Sequence, residues 1–181
     1  MKGYPNTYAL SKILAEDLIH SYKDKIPAII SRPSIVISAW QEPQPGWIES
    51  KKNGLCGIIL SRGRGILRTI NADPNKLLEV IPVDVANNAI LALTCKRAYM
   101  GGSEILYCNL TTANLQPWTL QQYFDYEMEI FKQYPLDLLL WWPYCPVTNN
   151  KLYYEFRRFC YHYFPSFVGD IACRIKGEKS L

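Results

Sequence analysis

Tyr8 and Lys12 are the residues whose types and spacing point most directly to chemistry. Four positions apart on a helix, they share one face and stand about one turn from each other. An ammonium beside a phenol favours the ionised ring oxygen. That makes Tyr8 a candidate proton donor to a carbonyl and Lys12 its electrostatic support. Thirteen tyrosines and twelve lysines in 181 residues would give about one such pair by chance. Taken alone, the pair reads as ordinary helix surface. The elements around it change the odds.

Pro5 suits the approach to a helix, and Asn6 or Thr7 can cap its free amides. Leu10, Leu14, Ala15, Leu18, Ile19 and Tyr22 then recur at helical spacing from Thr7 to about Lys23, with Asp24 and Pro27 closing the helix. Ile26 to Arg32 is a short apolar run without polar alternation, as in a strand buried on both faces of a parallel sheet. Pro33 stops its ladder. Pro33, Ser34, Ile35 and Val36 would therefore lie beyond a strand's carboxyl end, where an open α/β sheet keeps its nucleotide crevice.

Residues 38–54 are loop by composition, and their Trp40 and Trp47 either fold over something apolar or pack on the loop's own domain. Gly63-Arg64-Gly65 is a weak phosphate-loop signal; Arg62, Arg64 and Arg68 read as a solvated turn or as phosphate-binding forks. Leu77 to Val83 is strand-like, and Asp84 is best explained as the N-cap of the helical pattern that follows. Glu104 to Leu110 is another strand. Thr119 with Gln122 predicts a capping box opening a helix to about Tyr134. Beyond the apolar run Leu136 to Trp142, Leu152, Phe156, Phe159, Cys160, Tyr163 and Phe164 mark one apolar helix face, opposed by Arg157, Arg158 and His162. Pro165 is predicted to end that helix. A second amphipathic helix follows through Phe167, Val168, Ile171, Ala172 and Ile175. Helices of this kind lie in a membrane interface or pack onto a neighbouring domain.

Composition bounds these readings. Apolar content of 49% with 20% charged residues is globular. A formal charge of +4 with scattered basic residues is no nucleic-acid signature. Six cysteines without a CxxC pair and two histidines make a metal cluster improbable, and the absence of an apolar leader after Met1 suggests a reducing, intracellular compartment. No run of about eighteen apolar residues is long enough to span a membrane.

Several stretches together resemble one family. They are Asn6-Thr7-Tyr8-Ala9-Leu10-Ser11-Lys12 with Leu14-Ala15-Glu16, Arg32-Pro33-Ser34-Ile35-Val36, Trp40-Gln41-Glu42-Pro43-x-Pro45-Gly46-Trp47, Gly63-x-Gly65 and Ile81-Pro82-Val83-Asp84. The tryptophan loop is the most specific. The chain resembles the alcohol-forming fatty acyl-CoA reductases of the insect type, over nearly its whole length. The resemblance implies an α/β fold: residues 1–115 as the C-terminal part of a Rossmann-like, extended short-chain dehydrogenase domain, and 116–181 as the start of a mainly helical C-terminal domain. It implies two hydride transfers from NADPH, taking a long-chain fatty acyl-CoA through a bound aldehyde to a fatty alcohol, as in wax and lipid biosynthesis. Tyr8 would protonate the carbonyl oxygen, Lys12 would hold the nicotinamide ribose, and Pro33, Ser34, Ile35 and Val36 would line the nicotinamide pocket. The expected location is an intracellular membrane, of the peroxisome or endoplasmic reticulum. The two amphipathic helices, with Arg157, Arg158, Arg174 and Lys176, offer residues 149–176 as a peripheral contact. No metal and no nucleic acid are expected from the composition.

Two family features are missing from the sequence: the glycine-rich first βα turn, and the serine or threonine that completes the Tyr-Lys site. The sequence therefore reads as partial, and expressed alone it is expected neither to bind NADPH nor to reduce acyl-CoA. Two other readings share its motifs. One is another extended dehydrogenase or sugar-nucleotide epimerase, which would not need the tryptophan loop. The other is a non-catalytic, membrane-associated remnant of a reductase.

Overall fold

A computed structural model describes residues 6–50, 54–112, 115 and 117–177. In chain order its elements are α1 (Thr7–His20), β1 (Ile29–Pro33), β2 (Ile35–Ile37), α2 (Gly54–Gly63), β3 (Ile70–Asn71), β4 (Val80–Pro82) and α3 (Val83–Met100). There follow β5 (Leu106–Leu110), α4 (Leu120–Gln133), β6 (Val147–Thr148), α5 (Lys151–Arg158), a π-helical turn (Phe159–Tyr163) and α6 (Phe164–Lys176). The chain forms two compact units, one from 1–48 with 80–112 and the other from 49–79 with 113–181. Pro5 and residues 51–53 of the predicted loop lie outside the described residues.

The first unit is built on one extended segment that changes partner. β1 runs parallel to β5, Ile29 beside Leu106 and Pro33 beside Leu110; β2 runs parallel to β4, Ile35 beside Val80 and Ile37 beside Pro82. The change falls at Pro33, which has no N–H to give, and Ser34 donates to the Leu110 carbonyl at 2.9 Å. α3 packs across β1, β2 and β4, and Ala86 of the helix, Ile30 of β1 and Ile81 of β4 are all buried. At its end, Arg97 is buried and closes the helix by donating to the Gly101 and Gly102 carbonyls at 2.6 and 2.7 Å.

The expectation of a strand covered on both faces is corrected here. Only Ile30 of β1 is buried, and α1 buries no residue at all. Periodicity correctly gave α1 an apolar stripe, but Leu14 and Leu18 of that stripe are 57% and 61% exposed. The segment pairs with one neighbour along each half, so little of the described chain covers it.

In the second unit, α2 and α4 pack around a core in which charged and apolar side chains mix. Leu55, Phe124, Phe131 and Cys145 are buried, and so are Arg62, Arg68, Glu127 and Arg157. The solvated-turn reading of the arginines is thus overturned for Arg62 and Arg68, which are 2% and 6% exposed. Gly63 and Gly65 are packing glycines, not a phosphate cradle. A Cβ at Gly63 would come within 2.5 Å of the Phe131 ring, and one at Gly65, whose φ is +73°, within 2.2 Å of the Trp141 carbonyl oxygen. The run Leu136 to Trp142 forms no regular element and wraps this turn, with Leu140 donating to the Arg64 carbonyl at 3.0 Å. α4 opens on the predicted capping box: Gln122 N–H donates to Thr119 Oγ1 and Thr119 N–H to Gln122 Oε1.

Pro165 does not end the last helix. α5, the π-turn and α6 follow one another without a break from Lys151 to Lys176. Proline at the start of α6 lacks the N–H that would return to residue 161, and the preceding turn widens to π geometry, with Phe164 N–H bonding the Phe159 carbonyl.

Candidate functional site

α1 carries Tyr8 and Lys12 in its first turns. Asn6 caps it, its Oδ1 accepting the Ala9 N–H at 2.8 Å, as the sequence suggested. Tyr8 is 70% exposed, and the Lys12 Nζ lies 5.4 Å from its ring centroid, so phenol and ammonium share one open face. What holds this bare helix on the strands is polar. Glu16 on α1 accepts from both Nε and Nη2 of Arg32 on β1, the first bond at 2.9 Å. This hydrogen-bonded pairing lowers the Glu16 carboxyl below its ordinary value. Arg32 in turn lies 5.3 Å from the Tyr107 ring centroid, and the Tyr107 hydroxyl meets His20 Nδ1 at 3.3 Å. Sequence reasoning noted Glu16 and Arg32 as motif letters but not as this tether.

Pro33 ends β1, Ser34 bridges to β2, and Ile35 and Val36 lie on β2. Ile35 and Val36 are 45% and 43% exposed, and the Ser34 hydroxyl is buried without a hydrogen-bond partner. An orphaned hydroxyl beyond a parallel strand suits a ligand with a polar edge, which a nicotinamide carboxamide has. On that observation, Ser34 fits the nicotinamide group that the resemblance implies.

The tryptophan loop is anchored by a residue whose role the sequence concealed. Asp84 is not an N-cap: Pro82 holds that position, and Asp84 sits buried inside the first turn of α3. Its Oδ1 accepts the Trp40 N–H at 2.9 Å, and its Oδ2 those of Gln41 and Glu42 at 2.8 and 3.1 Å. The Trp40, Gln41 and Glu42 amides together hold the Asp84 carboxyl well below the carboxylate range. The loop closes on itself where Ala39 N–H reaches the Trp47 carbonyl at 2.9 Å. Trp40 is 64% exposed, and Trp47 with Glu42, Pro43, Val83, Asn87 and Asn88 lines an open groove of about 560 Å³. Among the described residues, no group of three or more His, Cys, Asp or Glu could hold a metal ion.

Against known proteins, residues 1–90 match the NAD-binding domain described as male sterility protein. Residues 1–90 carry this family's domain. It is 36% identical to fatty acyl-CoA reductase 1 of Rattus norvegicus and of Homo sapiens, over 97% of this chain and 34% of each relative. It is 32% identical to fatty acyl-CoA reductase wat of Drosophila melanogaster, over 99% of this chain and 34% of that one. The chain therefore spans about a third of the length of these relatives. A solved structure described as that of an epimerase from Burkholderia cenocepacia shares the fold, with a TM-score of 0.53, 15% identity, and coverage of 79% of this chain and 40% of that one. The family places a nicotinamide cofactor with this domain.

Proposed function

We propose that this chain carries the proton-donating part of an NADPH-dependent reductase that converts long-chain fatty acyl-CoA to fatty alcohol. The observation that carries the reading is the Tyr8–Lys12 face: an exposed phenol under an ammonium at 5.4 Å, on a capped helix of a family with nicotinamide-binding domains. The cofactor, when bound, supplies hydride to the carbonyl carbon. Tyr8 gives its phenolic proton to the carbonyl oxygen as negative charge gathers there, and Lys12 stabilises the phenolate left behind. Lys12 and the Pro33 to Val36 backbone hold the nicotinamide side of the ligand, and the Ser34 hydroxyl takes its polar edge. The C–S bond of the hemithioacetal so formed then breaks, its hydroxyl proton passing to the departing coenzyme A sulfur. The aldehyde left behind takes a second hydride and, from Tyr8 reprotonated by solvent, a second proton to become the alcohol.

Tyr8→Phe in the whole protein tests this. Turnover should fall by about 10²–10⁴-fold while NADPH affinity stays within a few-fold. Turnover near that of the wild type would remove Tyr8 from the reaction.

We further propose that residues 149–176 contact an intracellular membrane, of the peroxisome or endoplasmic reticulum, peripherally. Support comes from the open apolar side chains along α5 and α6, where Leu152, Phe156, Phe167 and Ile175 are each more than half exposed. No described helix is long and apolar enough to cross a membrane. Cell fractionation with an alkaline carbonate wash checks both points: the protein should sediment with membranes and be released by the wash.

A further inference from the structure

Three arginines surround the packing glycines Gly63 and Gly65, and the fold uses two of them. Arg62 donates to Glu127 at 3.2 Å and to the Cys145 carbonyl at 2.8 Å. Arg68 donates to the Trp142 carbonyl and lies 5.1 and 5.4 Å from the Trp141 and Tyr161 ring centroids. Arg64 differs. Its Nε is buried with no acceptor, as is that of Arg68, but among the described residues the rest of its guanidinium also makes no hydrogen bond and no ion pair. A buried cationic donor without an acceptor calls for one from outside the chain.

Arg64 lines an open pocket of about 500 Å³ with Ser61 and His162, among apolar side chains such as Ile58 and Ile66. Among the described residues, no Asp or Glu lines it. His162 Nε2 accepts the Arg68 backbone N–H at 3.4 Å, which leaves the neutral ring's proton, and its donor, on Nδ1. Burial, then the charges of Arg68, Arg157 and Arg158, hold the His162 imidazole below its ordinary value. The wall behind the pocket is thus electropositive while its histidine is neutral.

We infer that this pocket is a phosphate site, taking a phosphate monoester or diphosphate on the Arg64 guanidinium fork, with the Ser61 hydroxyl and His162 Nδ1–H as neutral donors. Two neutral donors of different kinds beside one cation suit a tetrahedral oxyanion, which takes several hydrogen bonds beyond its counter-charge. Resting on the acyl-CoA reading above, the first occupant is an adenosine phosphate of coenzyme A. A phospholipid headgroup carries the same chemistry.

The test titrates the full chain with inorganic phosphate at constant ionic strength, following the imidazole resonances of its two histidines by NMR. His162 should shift saturably with millimolar affinity while His20, bonded to Tyr107, stays in place. Arg64→Gln should weaken this at least about tenfold and Arg64→Lys less, an unchanged indole resonance of Trp118, which packs on Tyr126 in the same unit, reporting an intact fold. No saturable shift of His162, or the same affinity in Arg64→Gln, overturns the site. Coenzyme A against its 3′-dephospho form, and vesicles of phosphatidic acid against phosphatidylcholine, then identify the source. Tighter binding of coenzyme A than of the dephospho form assigns the site to the cofactor's 3′-phosphate. Binding of phosphate and phosphatidic acid without coenzyme A leaves the phosphate site standing and counts against the acyl-CoA reading.

Discussion

Asp84 shows how one carboxylate can fix a loop that its own helix does not contain. Its two oxygens accept three successive amides, so residues 40–42 are held only while it is ionised. Because its folded pKa is depressed, this contribution is complete above the unfolded value of about 3.9 and is lost as pH falls through the lower folded one. Asp84→Asn should speed hydrogen exchange at the Trp40, Gln41 and Glu42 amides at pH 7, where the wild type stays protected. Glu127 has the opposite sign. Burial raises its carboxyl to about 7 against the pull of Arg62. The folded state therefore holds a proton that the unfolded chain releases from about pH 4.3 upward, and stability falls as pH rises through the window to about 7. Glu127→Gln should flatten that slope in urea denaturation followed by tryptophan fluorescence at pH 5 and 8. Arg62→Met removes that pull together with the donor to the Cys145 carbonyl; it should cost about 3–5 kcal/mol, and Glu127 should then keep its proton to still higher pH.

At the scale of elements, the last helix leaves open the apolar face that its pattern marks and packs on the side opposed to it. The side that packs is the aromatic and basic one: Arg157 is buried, donating to the Arg68 carbonyl at 3.0 Å and lying 4.7 Å from the Tyr161 ring centroid. The side left open carries Leu152, Phe156, Phe159, Phe164 and Phe167. Arg157 is thus unavailable to a lipid surface, and Arg158, which pairs with Glu155 at 2.8 Å, Arg174 and Lys176 remain as its charge. The chain should float with anionic liposomes at low salt and less at high salt, and Phe156→Glu with Phe167→Glu should cut the bound fraction at least about tenfold. Failure of the wild type to float with anionic or neutral vesicles would remove the membrane contact. The start of α4 offers a smaller, local test: Thr119→Ala removes one half of the capping box and should cost about 1 kcal/mol in thermal or urea denaturation.

Across the whole molecule, six cysteines are free, and their environments differ enough to be ranked by reaction. Cys145 is buried, and desolvation pushes its thiol up, whereas Cys95 is exposed. With a thiol-specific reagent at pH 8, Cys95 should react first and Cys145 only on unfolding. What the sequence determined by itself was local. Asn6 and Thr119 cap helices through atoms within three residues of themselves, and the Tyr8–Lys12 spacing follows from helix geometry alone. The parallel strands at 29–33 and 106–110 were legible for a similar reason, as short apolar runs with turn residues at their ends. Tertiary structure decided the rest, because the deciding partners are remote in sequence. Asp84 meets amides 42 to 44 residues away, Arg62 meets Glu127 65 residues away, and Arg157 meets a carbonyl 89 residues away. No periodicity encodes such meetings. A helical pattern shows that two faces differ; which of them is buried depends on what the folded chain brings against it.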